Sequence, residues 1–132
     1  MRKRNRQQSV RPSNPETVSV IDDASFLAAT TGGYTIVDFW APWCGPCRQF
    51  APVFEDAATR HGASLRFGRC DVDENPVTAE MVGIMSIPTT VVFDPDGNEL
   101  TRISGAMPPA QFETMLLELE THAGQAVSTV RP

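Results

Sequence analysis

The chain has 132 residues and a mass of 14.4 kDa, enough for one hydrophobic core and too little for two. Hydrophobic residues make up 41% and charged residues 20%, and no apolar run approaches the roughly 18 residues that cross a bilayer, which excludes a spanning segment. The formal net charge is −5, but Arg2, Lys3, Arg4, Arg6 and Arg11 crowd the start, so the remaining 121 residues hold six basic and 16 acidic groups and a net −10; a body this acidic repels a phosphate backbone, and no nucleic-acid partner is expected for it.

Residues 1–17 mix Arg, Gln, Ser, Asn and Pro with almost no large apolar groups, a composition expected to form a disordered basic extension. Gln7, Gln8, Ser9, Arg11 and Pro12 fall where the apolar segment of a secretory signal should begin, so export by that route is not expected. An organellar transit leader, also Arg-rich and free of acids, is the other reading. From Thr17 the pattern changes. Thr17-Val18-Ser19-Val20 alternates like a short strand, and Asp22 or Asp23 is placed to cap a helix through Phe26, Leu27 and Ala29 that Gly32-Gly33 stops. Tyr34 to Trp40 is a near-continuous apolar run with β-branched and aromatic residues, as expected of a strand covered on both faces.

Phe50, Val53, Phe54 and Ala57 then recur at the spacing of one helix face, with Pro52 inside the helix and Gly62 at its end. Leu65 to Val72 reads as another buried strand, Asn75-Pro76 as the cap and first turn of a short helix, and Thr89 to Phe93 as a further strand. Asp94-Pro95-Asp96-Gly97-Asn98 is a turn that pairs it with Glu99 to Ser104 as a hairpin. Phe112, Met115, Leu116 and Leu119 mark a last helix, and residues 123–132 read as a flexible tail. The order β-α-β-α-β-α-β-β-α predicts an α/β domain over residues 18–122: a mostly parallel sheet with helices on both faces and an antiparallel hairpin at one edge.

Three cysteines are too few, and odd in number, for a disulfide-stapled scaffold. Cys44-Gly45-Pro46-Cys47 directly follows a buried strand and opens a helix, the context in which such a pair reads as redox-active. Two intervening residues turning into a helix bring the thiols close enough to bridge. Pro46 fits the first turn without wasting a hydrogen bond. Cys44, at the positive end of the helix dipole, gains thiolate stabilisation and is the expected exposed nucleophile; Cys47, one turn inside, is the expected buried resolving thiol. Half of a zinc site is the competing reading, but Cys70, His61 and His122 form no second ligand pair at zinc spacing, so no metal is expected. Trp43 offers a flat apolar surface for an extended client segment, while Trp40 is assigned to packing support. Cys70, among buried strand positions, is expected to be a packed spare, with a regulatory thiol as the alternative.

The segment Val37-Asp38-Phe39-Trp40-Ala41-Pro42-Trp43-Cys44-Gly45-Pro46-Cys47 resembles the active-site segment of the thioredoxin family. The likeness extends to Asp71 through Pro76, to Ile87-Pro88-Thr89 and to Gly105 before the last helix, and covers about residues 17–122. It implies a five-stranded mixed sheet flanked by four helices, a cis peptide at Pro88, client docking around Trp43, Ile87 and Pro88, and dithiol–disulfide exchange with disulfide-containing clients. It also implies reducing equivalents from a thioredoxin reductase, with no bound cofactor beyond the cysteine pair. Asp38, mid-strand in an apolar run, should have its pKa raised by burial and so suit proton exchange with Cys47.

Departures from the family pattern bear on this. Arg69 stands where many relatives carry lysine, and if it reaches Asp38 it holds that carboxyl down more firmly. Met85-Ser86 replaces a basic-Gly pair, and Pro42 replaces a common carboxylate near Cys44. A reductase is the leading expectation, working as a monomer in the cytoplasm. An oxidase or isomerase of the same fold, or a non-catalytic binding module, are the alternatives.

Overall fold

Thr35–Trp40 forms the central strand of a five-stranded sheet, and its β-branched and aromatic run is buried up to Phe39 because helices cover both faces. In this computed structural model the described residues are 17–130, with side chains described as far as residue 124. The elements run β1 (Val18–Val20), α1 (Phe26–Ala29), β2 (Thr35–Trp40), α2 (Gly45–His61), β3 (Arg66–Asp71), α3 (Pro76–Val82), β4 (Thr89–Phe93), β5 (Glu99–Ser104) and α4 (Pro109–Val130). Of the basic extension expected over residues 1–17, residues 1–16 lie outside the described residues.

The strands lie in the order β1-β3-β2-β4-β5. β1 and β2 run parallel to β3, while β4 is antiparallel to both β2 and β5. The sheet is therefore mixed in equal measure, as the family resemblance implies, and not mostly parallel with one antiparallel edge. Periodicity reports which faces of a strand are buried and carries no information on its direction.

Alternation along β2 splits the core in two. Ile36, with Phe67 and Val92 beside it, packs under α2 and α4 against Phe50, Phe54, Phe112 and Leu116. Val37 and Phe39 point the other way, toward Phe26 of α1 and Val82 of α3, with Cys70, Val91 and Phe93. Deleting any of the buried phenylalanines would cost about 3–5 kcal/mol, since each fills space that neighbouring rings cannot close.

Three local expectations are corrected. α1 is a single turn starting at Phe26; Asp22 closes the turn before it, accepting from the Ser25 N–H at 2.8 Å while Ser25 Oγ accepts from the Asp22 N–H at 2.9 Å. Asp23 instead accepts from the backbone and hydroxyl of Thr78 at 2.8 and 2.7 Å and so pins the first turn of α3. Asn75 stands at the N-cap of α3 without capping it, its side chain turned to the Asp23 N–H at 3.0 Å. Finally, α4 runs on to Val130 through residues read as a tail, because once a helix is nucleated each further residue costs little.

Candidate active site

β2 ends at Trp40, and four residues later the chain turns into α2, which places Cys44 at the N-cap. Its backbone is extended, φ −88° and ψ 111°, and Pro46 lies in the first turn. Cys44 Sγ accepts from the Cys47 N–H at 3.2 Å and is bonded to Cys47 Sγ, with the two Cα atoms 5.2 Å apart. A thiolate at Cys44 would receive that same N–H and the positive end of a 17-residue helix that has no acid in its first turn. Nothing lies within 4 Å of where a side chain on Gly45 would begin, so its surface side is open.

Cys47 is fully buried and Cys44 is 4% exposed. The order of burial matches the sequence reading, but the expected openly exposed sulfur is not found in the disulfide form. Cys44 Sγ is turned inward to the helix end, where Cys47 and its N–H hold it.

Before β4, the Ile87–Pro88 peptide is cis. The Gly105 N–H donates to the Pro88 carbonyl at 2.7 Å, and Gly105 has φ +94°, a backbone region that disfavours a side chain. Thr89 Oγ1 donates to the Ser86 carbonyl at 2.6 Å, fixing the chain on the other side. Beside this segment is a groove of about 510 Å³ lined by Trp43, Val72, Pro76, Ile84, Met85 and Ile87. Trp43 is 67% and Met85 94% exposed. The Trp43 indole N–H donates to Asp73 Oδ2 at 2.6 Å, which fixes the ring as one wall of the groove. Met85, marked in the sequence as a departure from the family pattern, is part of this wall, whereas sequence reasoning missed Asp73 as the anchor of Trp43; the Asp71 to Pro76 stretch carried a family signal but no hint that Asp73 meets an indole.

Asp38 is fully buried in the middle of β2. Burial pushes its carboxyl up to about 6, the Arg69 charge and hydrogen bond hold it back, and Glu55 adds a smaller upward push. Arg69 Nε donates to Asp38 Oδ2 at 3.1 Å, so the lysine-to-arginine departure does reach the carboxyl. Burial outweighs it. The Arg69 guanidinium lies 4.2 Å over the Trp40 ring, which makes Trp40 the platform for the arginine. Cys70 is buried on the opposite face of the sheet, with its thiol pushed up to about 12 by burial and then by nearby aspartates. Among the described residues no three His, Cys, Asp or Glu side chains are grouped to hold a metal ion, and no helix is long and apolar enough to cross a membrane.

Both sulfurs sit at the N-terminal end of one helix and are joined there as a disulfide across two residues. That defines the class: a thiol–disulfide oxidoreductase whose reactive centre is its own cysteine pair. A thioredoxin family model matches residues 17–118. The chain is 41% identical to the thioredoxin of Listeria monocytogenes over 75% of its length and 95% of that protein. It is 43% identical to the thioredoxin of Bacillus subtilis over 71% of its length and 89% of that protein. The crystal structure of Malassezia sympodialis thioredoxin, Mala s 13, superposes with a TM-score of 0.72 at 36% identity, covering 78% of this chain and 90% of that one. The chain belongs to the thioredoxin family and is a protein-disulfide reductase acting on disulfide-containing clients.

Proposed function

We propose that Cys44 is the attacking thiolate, Cys47 the resolving thiol and Asp38 the group that exchanges a proton with Cys47. The observation that carries this is the closed Cys44–Cys47 pair at the N-terminus of α2, with Cys47 one turn inside and fully buried. Cys44 thiolate attacks one client sulfur, forming a Cys44–client disulfide and releasing the other client sulfur as a thiolate. Cys47 gives its proton to the Asp38 carboxylate and attacks Cys44 Sγ. The Cys44–Cys47 bond forms, the second client sulfur leaves, and two electrons have passed from the protein to the client.

Client docking is assigned to the groove between Trp43 and Ile87, with the backbone at Pro88 presented to an extended segment; Gly45 and Pro46 keep the approach open. A thioredoxin reductase returns the dithiol, and no bound cofactor takes part. The protein works as a monomer in the cytoplasm, and the net −10 of residues 12–132 supports a body without nucleic-acid partners.

The direct test is trapping. Replacing Cys47 by Ser should accumulate client adducts through Cys44, and adducts carried on Cys70 instead would overturn the assignment. Equilibration with glutathione then separates the reductase from an isomerase of the same fold. Characterised thioredoxin lies near −270 mV and protein disulfide isomerase near −180 mV, a gap of about 4 kcal/mol, and a value at the upper figure would reverse the proposed direction of flow.

A further inference from the structure

Five threonines are fully or almost fully buried: Thr30, Thr35, Thr78, Thr89 and Thr90. Thr30 donates to the Phe26 carbonyl, Thr35 to Gly33, Thr78 to Asp23 and Thr89 to Ser86. Thr90 Oγ1 has no partner, and the one other buried side-chain oxygen in that condition among the described residues is Asp38 Oδ1. The two orphans are neighbours. Asp38 on β2 stands directly opposite Thr90 on β4, and residues so paired project to the same face with Cβ atoms about 5 Å apart.

That face is the reactive one. Ile36 and Val92, the equivalent pair two residues along, pack under α2 and α4, so alternation turns Asp38 and Thr90 toward the helix that carries Cys47. One row of side chains crosses the sheet there, from Arg69 through Asp38 and Thr90 to Ile103. Arg69 takes Oδ2 of the carboxyl from one side; Thr90, its hydroxyl unpartnered, is the neighbour on the other. A buried carboxylate oxygen and a buried hydroxyl do not stay unpartnered at no cost, and a single bridging water would satisfy both.

We propose that Thr90 is a positioning residue for the exchange reaction: through one bridging water its hydroxyl holds Asp38 Oδ1, so that the carboxyl trading a proton with Cys47 is fixed at both oxygens. This rests on the role proposed for Asp38 above. The charged groups acting on that carboxyl are Arg69 from β3 and Glu55 from α2; β4 contributes the neutral Thr90, and Cys47 on α2 becomes titratable once the disulfide is reduced. A hydrogen bond to the ionised carboxyl favours it, so losing the hydroxyl raises the proton affinity of Asp38.

The test uses the full chain with Thr90→Val, of equal shape, and Thr90→Ala, which removes the hydroxyl with less volume, each followed by carboxyl NMR of Asp38 and by the pH profile of disulfide reduction. Both should move the Asp38 titration upward by about half a unit, and below its midpoint the rate should fall roughly threefold, since a half-unit is that factor in carboxylate. Thr90→Ser should restore both readings, and Thr90→Val should cost nothing further in a protein already carrying Asp38→Asn. An unmoved titration in both variants overturns the proposal, as does failure of serine to rescue or an equal loss in the Asp38→Asn background. Wild-type rates in Asp38→Asn alone would remove the proton role of Asp38 and with it the catalytic meaning of Thr90; the titration tells that failure apart from failure of the hydrogen bond.

Discussion

Arg69 and Asp38 occupy the same register position on neighbouring parallel strands, and the guanidinium donates to the carboxyl at 3.1 Å. Because arginine does not give up its proton, this pull on Asp38 is constant over the working pH range. Removing it leaves burial unopposed. Arg69→Met should move the Asp38 titration upward from about 6 by a further one unit or so, and the pH at which disulfide reduction reaches half its plateau should follow it. Arg69→Lys, which keeps the charge but loses the flat stack on Trp40, should shift it less. An Asp38 titration that ignores Arg69→Met would mean that the ion pair does not govern the carboxyl.

Asp38 also sets a stability cost. Its carboxyl sits at about 6 in the fold against an ordinary value of 3.8, so between those values the folded chain binds more protons than the unfolded chain and stability falls as pH rises. Above about pH 6 the full cost, on the order of 3 kcal/mol, is in force. Asp38→Asn should therefore unfold at higher urea than the wild type at neutral pH, and the advantage should shrink on acidification toward pH 4. Equal midpoints at neutral pH would show that the carboxyl is better solvated than its burial implies.

The parts of the site that were legible in sequence are those made by neighbours along the chain. Cys44, Gly45, Pro46 and Cys47 occupy one helical turn, so spacing alone carries their geometry, and the apolar run to Trp40 announces the buried strand before them. The burial of Asp38 follows from the same run. What the sequence withholds depends on register between distant segments. That Arg69 meets Asp38 needs β2 and β3 aligned; that Thr90 lies opposite it needs β4 reversed. The Asp23–Thr78 bond spans 55 residues, and no local propensity encodes it. His61 shows the same limit: its place in the last turn of α2 is readable, its partners on α4 are not.

Those partners make a clamp between the two helices. His61 Nδ1 lies 2.9 Å from Glu120 Oε2 and Nε2 lies 3.0 Å from Glu113 Oε1. Arg60 also donates to Glu113, and Ser64 to Glu120. Burial pulls the imidazole down, but the hydrogen bonds and charges of the two glutamates together raise it above its ordinary 6.5. The clamp's contribution is therefore complete below about pH 6.5 and is lost as pH rises through the folded value; the glutamates, held below their ordinary 4.5, lose theirs on acidification. The wild-type Tm should fall by roughly 3–6 °C between about pH 6.5 and 9, and His61→Gln should flatten that fall. A parallel decline in both proteins would place the titrating group elsewhere.

Cys70 offers the last check, because in the oxidised protein it is the free thiol among the described cysteines. Fully buried in the cluster under α1 and α3, it is pushed up to about 12, first by burial and then by Asp23, Asp71 and Asp22. At pH 8 its thiolate fraction is then on the order of one in ten thousand, and no reagent reaches it without opening the core. Oxidised native protein should take up no maleimide, and the same protein in denaturant should take up one equivalent. Cys70→Ala should keep full reductase activity at a stability cost of about 1 kcal/mol, whereas Cys70→Ser, which buries a hydroxyl among apolar side chains, should cost about 1–3 kcal/mol. Rapid labelling of the folded, oxidised chain would instead make Cys70 an accessible thiol and reopen its assignment as a regulatory one.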